Sequence, residues 1–169
     1  MRVPAFLSAA FALCFLASAE AAPESGSVTV AVGDVTVITE EGAAPVALQP
    51  GDKVEVGSTV RTGADSRAVV VITPRSAIRI AADSEVVIEV VEEGELPQKV
   101  LVEVKTGGLG ALVKPSAVGE MDFRVRTPSG SAAARGTFFA VYVADGKGYA
   151  QVKEGLVEIQ PEAEEDGNQ

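Results

Sequence analysis

Three arginine–threonine couples are the residues of this chain best suited to chemistry: Arg61-Thr62, Arg126-Thr127 and Arg135-Gly136-Thr137. The chemistry they suit is recognition. A guanidinium stays charged and presents a fork of N–H donors that matches a carboxylate. Arg135 stands among small apolar residues, Ala132 to Ala134 and Gly136, so it points inward or along a groove. There it needs a carboxylate or several backbone carbonyls. Two uses are open. Arg135 locks its loop to the body, or Arg135 and Arg126 together face a ligand carboxylate. Gly136 permits a positive φ before the strand that follows.

Bond-making chemistry lacks its parts. The chain has no histidine, and its one cysteine, Cys14, lies in the N-terminal apolar run. Ser-His and Cys-His pairs therefore have no members here. Neither Gly-x-Ser-x-Gly nor Ser-x-x-Lys occurs, and the carboxylates show no distinctive spacing. No enzymatic activity and no cofactor are expected. Asp145-Gly146-Lys147-Gly148 lacks the acid series of a calcium loop. It reads instead as a type I′ hairpin turn between Tyr142 and Tyr149. Gly107-Gly108-Leu109-Gly110 has no lysine or helix after it, as a phosphate loop would. It is expected to be a turn or bulge where two backbones approach closely.

The elements that must position these residues are strands. There are 27 valines against nine leucines, and a β-branched side chain suits a pleated surface. Short runs recur with turns between them: Val28 to Val32, Val35 to Thr39, Val54 to Val56, Thr59 to Thr62, Ala77 to Ile80, Val86 to Val91, Val100 to Val104. Ala68 to Thr73 is continuously apolar and is expected to be buried on both faces. Ala111 to Val113, Phe123 to Arg126, Phe138 to Val143, Tyr149 to Val152 and Leu156 to Ile159 complete the set. The fold class is all-β: about a dozen short strands in a partly solenoid-like or sandwich-like body. Residues 92–97 form a surface hairpin tip. Pro128 to Gly136 reads as a loop, with at most one helical turn over Ser131 to Ala134.

The ends differ from the body. Arg2, the apolar run Ala5 to Ala17, and two Ala-x-Ala sites, Ala17-Ser18-Ala19 and Ala19-Glu20-Ala21, have the tripartite form of a secretory signal peptide over residues 1–21. The run is short for a membrane span. One domain over 26–160 and an acidic disordered tail over 161–169 follow. A net charge of −10 argues against nucleic acid, which needs a basic footprint. No membrane span is expected once the leader is removed, and the location is periplasmic or secreted.

Two blocks resemble the FecR-like domain, the periplasmic module of bacterial cell-surface signalling. The first is Gly51-Asp52, Gly57-Ser58, Val60-Arg61-Thr62-Gly63, then Asp65-Ser66-Arg67-Ala68 and Val69 to Ile72. The second is Phe123-x-Val125-x-Thr127-Pro128, then Ala134-Arg135-Gly136-Thr137-x-Phe139, closing on Val152, Gly155 and Val157. Classical members of that family carry a cytoplasmic arm that controls a sigma factor and one membrane helix before this domain. Here the sequence reads as a cleavable leader, so the resemblance implies the domain type and leaves the sigma-factor role aside. It implies a protein-interaction or sensing module, with an envelope or extracellular protein as partner, met along an exposed strand edge. The alternative is a module for a cell-wall or extracellular glycan. Glycan sites offer exposed aromatics, and Phe123, Phe138, Phe139, Tyr142 and Tyr149 stand mostly in core-like alternation, which favours protein contact.

Overall fold

A computed structural model describes residues 25–92, 97–115 and 121–161, with the backbone alone at 135–137 and 154–156. The expected leader, residues 93–96 of the hairpin tip expected over 92–97, and the expected acidic tail beyond Pro161 lie outside the described residues.

Every regular element among the described residues is a strand. In order they are β1 Ser25–Val32, β2 Val35–Ile38, β3 Val46–Ala47, β4 Lys53–Glu55, β5 Thr59–Thr62, β6 Arg67–Thr73 and β7 Ser76–Ile80. Then come β8 Ser84–Glu92, β9 Gln98–Val113, β10 Met121–Thr127, β11 Gly130–Ala144 and β12 Lys147–Pro161. All-β is thus the fold class. Alternation explains most of the strands. In β10, Met121, Phe123, Val125 and Thr127 are buried, while Asp122, Arg124 and Arg126 lie on the opposite face. A period of two sends alternate side chains to opposite faces.

The strands form one curled sheet in which all pairings are antiparallel except β9 with β10. Three long strands divide the sheet into two arms. Through Thr106, β9 pairs with β8 and β10; from Gly107 onward it pairs with β11 and then β7. β11 pairs with β10 over 130–134 and with β9 over 138–143, and β12 follows β11 along both halves. The first arm therefore runs β3-β2-β5-β8-β9-β10-β11-β12, and the second runs β4-β1-β6-β7-β9-β11-β12. Residues of both arms belong to one core cluster. Phe123 of the first arm meets Phe139 of the second edge-to-face, with ring centroids 6.2 Å apart.

Two expectations are corrected. Pro128 to Gly136 is no loop, and Ser131 to Ala134, where at most one helical turn is expected, has none. Pro128 and Ser129 alone make the turn, and the small residues continue as strand. Ala132 and Ala134 are buried opposite Val125 and Phe123, where small side chains leave room for the phenyl ring. The apolar run Ala68 to Thr73 is not buried on both faces: Ala68, Val70 and Ile72 are buried, but Val69 and Val71 are only partly covered. Only one face of β6 points into the core. The close approach expected at Gly107 to Gly110 is present, though in mid-strand. The turn at Asp145 and Gly146 is present too, with φ of 52° and 72°, as a type I′ hairpin requires.

Candidate interaction surfaces

The threonines of the first two couples are structural. Thr62 is buried at the end of β5; its hydroxyl donates to the Ala81 carbonyl (2.5 Å) and accepts from the Ser84 amide (3.1 Å). The Ser84 hydroxyl donates to the Ala82 carbonyl and accepts from the Gly108 amide at 2.9 Å. Thr62 thus pins the 81–84 turn, and that turn pins β9 where it changes arms. Thr127 does similar work, donating to the Gly130 carbonyl at 2.9 Å and closing the β10–β11 turn. Thr62→Val keeps the volume but leaves the Ser84 amide without its acceptor. It is expected to lower stability by about 2 kcal/mol. Urea melts check this, and Thr62→Ser, which keeps the hydroxyl, should lose less.

The arginines of those couples face outward and find carboxylates within the chain. Arg61 Nε lies 2.9 Å from Glu85, which also faces Lys105 at 3.7 Å. Arg126 Nη1 lies 3.1 Å from Glu89 Oε1, while Glu89 Oε2 is buried without a hydrogen-bond partner. Arg124 pairs with Asp122 at 2.9 Å; that hydrogen bond, then the charges of Asp122 and Glu158, hold its guanidinium more firmly protonated. Lys99 pairs with Glu92. The outer face of the first arm is therefore a lattice of alternating charge, exposed and worth little per pair. Arg61 and Arg126 do not converge, since β8 and β9 lie between their strands.

The third couple marks a corner. The side chains of Arg135, Gly136 and Thr137 lie outside the described residues, and with them the expectation for the Arg135 guanidinium. Their backbone sits where the β11–β12 register shifts, between Arg135↔Leu156 and Phe138↔Glu154. That is where β11 leaves β10 and joins β9. Gly155 stands in β12 between those two partners. The Arg-Gly-Thr block thus falls at the passage between arms.

Two surfaces were not legible as such from the sequence. The first is the free edge of β12, a 15-residue strand that pairs with β11 alone among the described residues. Its Val152 and Ile159 are exposed. The second is the outer face of the second arm. Phe138, Tyr142 and Tyr149 are 42%, 45% and 44% exposed there. Only Phe123 and Phe139 among the described aromatics are core residues. The core-like alternation expected for most of them is corrected, because the edge-side strands β11 and β12 turn one face to solvent. Tyr142 and Tyr149 are cross-strand partners whose rings stack 5.0 Å apart, and Lys153 Nζ stands 5.8 Å from the Phe138 ring centre.

Among the described residues no group of acidic, histidine or cysteine side chains converges on a metal position, and no helix is long and apolar enough to cross a membrane. The family model described as FecR protein matches residues 58–158, which span both arms and all three couples. No curated protein and no solved structure gives a significant match.

Proposed function

Because the chain belongs to the FecR protein family, we propose that it serves as a non-catalytic interaction module of the cell envelope, exported to the periplasm or beyond. Its partner is an envelope or extracellular protein that adds an extended segment to β12. The open edge of β12 carries this reading. An unpaired strand presents a row of N–H and C=O groups, and a partner strand that pairs with them gains main-chain hydrogen bonds. The N-terminal order of positive, apolar and small residues supports export.

The test uses the exported protein as bait in envelope extract, with cross-linking at β12. Val152→Lys with Ile159→Lys places charge along the edge, which blunts strand addition. Captured partner should fall roughly tenfold, a change in binding of about 1.4 kcal/mol, while the melting curve stays close to that of the parent. A doubly substituted protein that holds its partner as before would remove the edge from the proposal. A second reading, a glycan-binding module, is favoured by one observation: three exposed aromatic rings share the outer face of the second arm.

A further inference from the structure

The two outer faces treat their cations differently. On the first arm Arg61, Lys99, Lys105, Arg124 and Arg126 each lie against a carboxylate. On the second arm Arg67, Arg79, Lys147 and Lys153 form an ion pair with no described carboxylate. Among the described side chains at the outward positions of β6, β7 and the second-arm halves of β9, β11 and β12 none is a carboxylate; Glu154, of which the backbone alone is described, lies opposite Phe138 in the register. In a chain of net charge −10, this face is locally cationic.

The register shows how the face is built. Arg79 lies opposite Gly110, Gly110 opposite Ala140, and Ala140 opposite Gln151. Gly110 and Ala140, the two small residues in the middle of this row, are the floor of a shallow trough. Leu112 and Phe138, directly opposite each other, make one wall. Tyr142, stacked on Tyr149, makes the other. Phe138 and Tyr142 stand four positions apart in β11, roughly 13 Å along the strand. Beyond Leu112 the face continues into a depression of about 170 Å³, which Lys114 borders.

We infer that this trough binds an acidic polysaccharide, with sugar rings against Phe138 and Tyr142 and a sugar carboxylate at Arg79. The inference rests on the glycan reading and names its ligand class. Charge complementarity carries it: Arg67, Arg79, Lys147 and Lys153 of this face have no described carboxylate beside them, and a guanidinium pairs best with a carboxylate. An aromatic face carries negative π-density that attracts the polarised C–H groups of a sugar ring. Gly110 and Ala140 form a flat bed between the aromatic walls, suited to a ring lying on it more than to the side chains that a strand places alternately on the two sides of its backbone. A nucleic-acid duplex, with one charge per about 1.7 Å of its axis, meets the repulsion of the whole −10 chain, whereas a polymer with one carboxylate per sugar meets less of it.

Calorimetric titration of the protein with polygalacturonate oligomers, and with the same oligomers fully methyl-esterified, tests the inference. The acid should bind, and the ester should bind at least about tenfold more weakly, as expected for loss of a charge-assisted hydrogen bond. Arg79→Gln and Tyr142→Ala should each weaken the acid roughly tenfold, while Arg61→Gln on the other arm should leave it unchanged. Circular dichroism of each variant verifies that it is folded. Equal binding of acid and ester would overturn the acidic ligand and leave a glycan site standing. Binding of neither would overturn both. Tighter binding of poly-glutamate or of a single-stranded oligodeoxynucleotide would show that the ligand class is wrong.

Discussion

Phe139→Ala is expected to lower folding stability by about 3–5 kcal/mol, the range for deleting a fully buried phenyl ring. Phe139 has no exposed surface, and it meets Phe123 edge-to-face with planes at 82°. The two rings belong to different arms, so the contact joins the halves of the curled sheet. Removing one ring loses its transfer free energy, leaves a void, and forfeits the aromatic pair. Phe138, one residue earlier, points the other way and is 42% exposed. Phe138→Ala loses a partly exposed ring and its contact with Lys153 and should cost about 1 kcal/mol, well below the loss at Phe139. Urea denaturation of the two variants side by side makes the comparison. Similar losses for both would mean that the arms do not depend on the Phe123–Phe139 contact.

Gly107→Val is expected to cost about 4 kcal/mol, by two independent routes. The backbone at Gly107 has φ of 76°, where a β-branched residue is strained by roughly 1–3 kcal/mol. An added Cβ would also run into the Ser84 hydroxyl and come within 2.6 Å of the Asp83 carbonyl oxygen and the Ser84 Cα. Overpacking of that kind adds roughly 1–3 kcal/mol, because two of the three obstacles are backbone. Gly57 separates the routes. Its φ is 88°, but nothing lies within 4 Å of the added atom, so Gly57→Val incurs the strain alone. Chemical denaturation should rank Gly107→Val well below Gly57→Val. Equal losses would show that the approach of β9 to the 81–84 turn is not tight.

Much of the fold was readable because burial follows a period of two. Val60 and Thr62 point inward and Arg61 outward, as the letters alternate, and valine dominates throughout. Turns with obligatory chemistry were equally plain, since Asp145-Gly146 supplies the two positive φ angles that the hairpin needs. Strand length was less legible. Val100 to Val104 and Ala111 to Val113 read as two strands broken by glycines, yet they are one strand of 16 residues. Partners on both sides carry the strand through the glycines, including Gly107 with its φ of 76°, and no local propensity reports those partners. The same holds for Tyr149 to Val152 and Leu156 to Ile159, which are one strand, β12. The small residues before Arg135 looked like loop because they lack strand propensity; β10 and β12 on either side hold them as strand.

The sequence by itself determined the β class, the absence of histidine and of a cysteine outside the N-terminal run, the acidity, and the paired Val-Arg-Thr blocks, because composition and period depend on no distant contact. It also carried the family, through blocks short enough to read in order. Tertiary structure decided which cations are satisfied and which are not. Arg61 and Arg79 stand alike in their strands, each between buried neighbours, yet Glu85 lies beside one and no described carboxylate beside the other. It likewise decided that Phe138 faces solvent while Phe139 faces the core, since two adjacent apolar residues have no local preference for either side. Only the partners across the sheet, Leu112 on one face and Phe123 beneath the other, fix that choice.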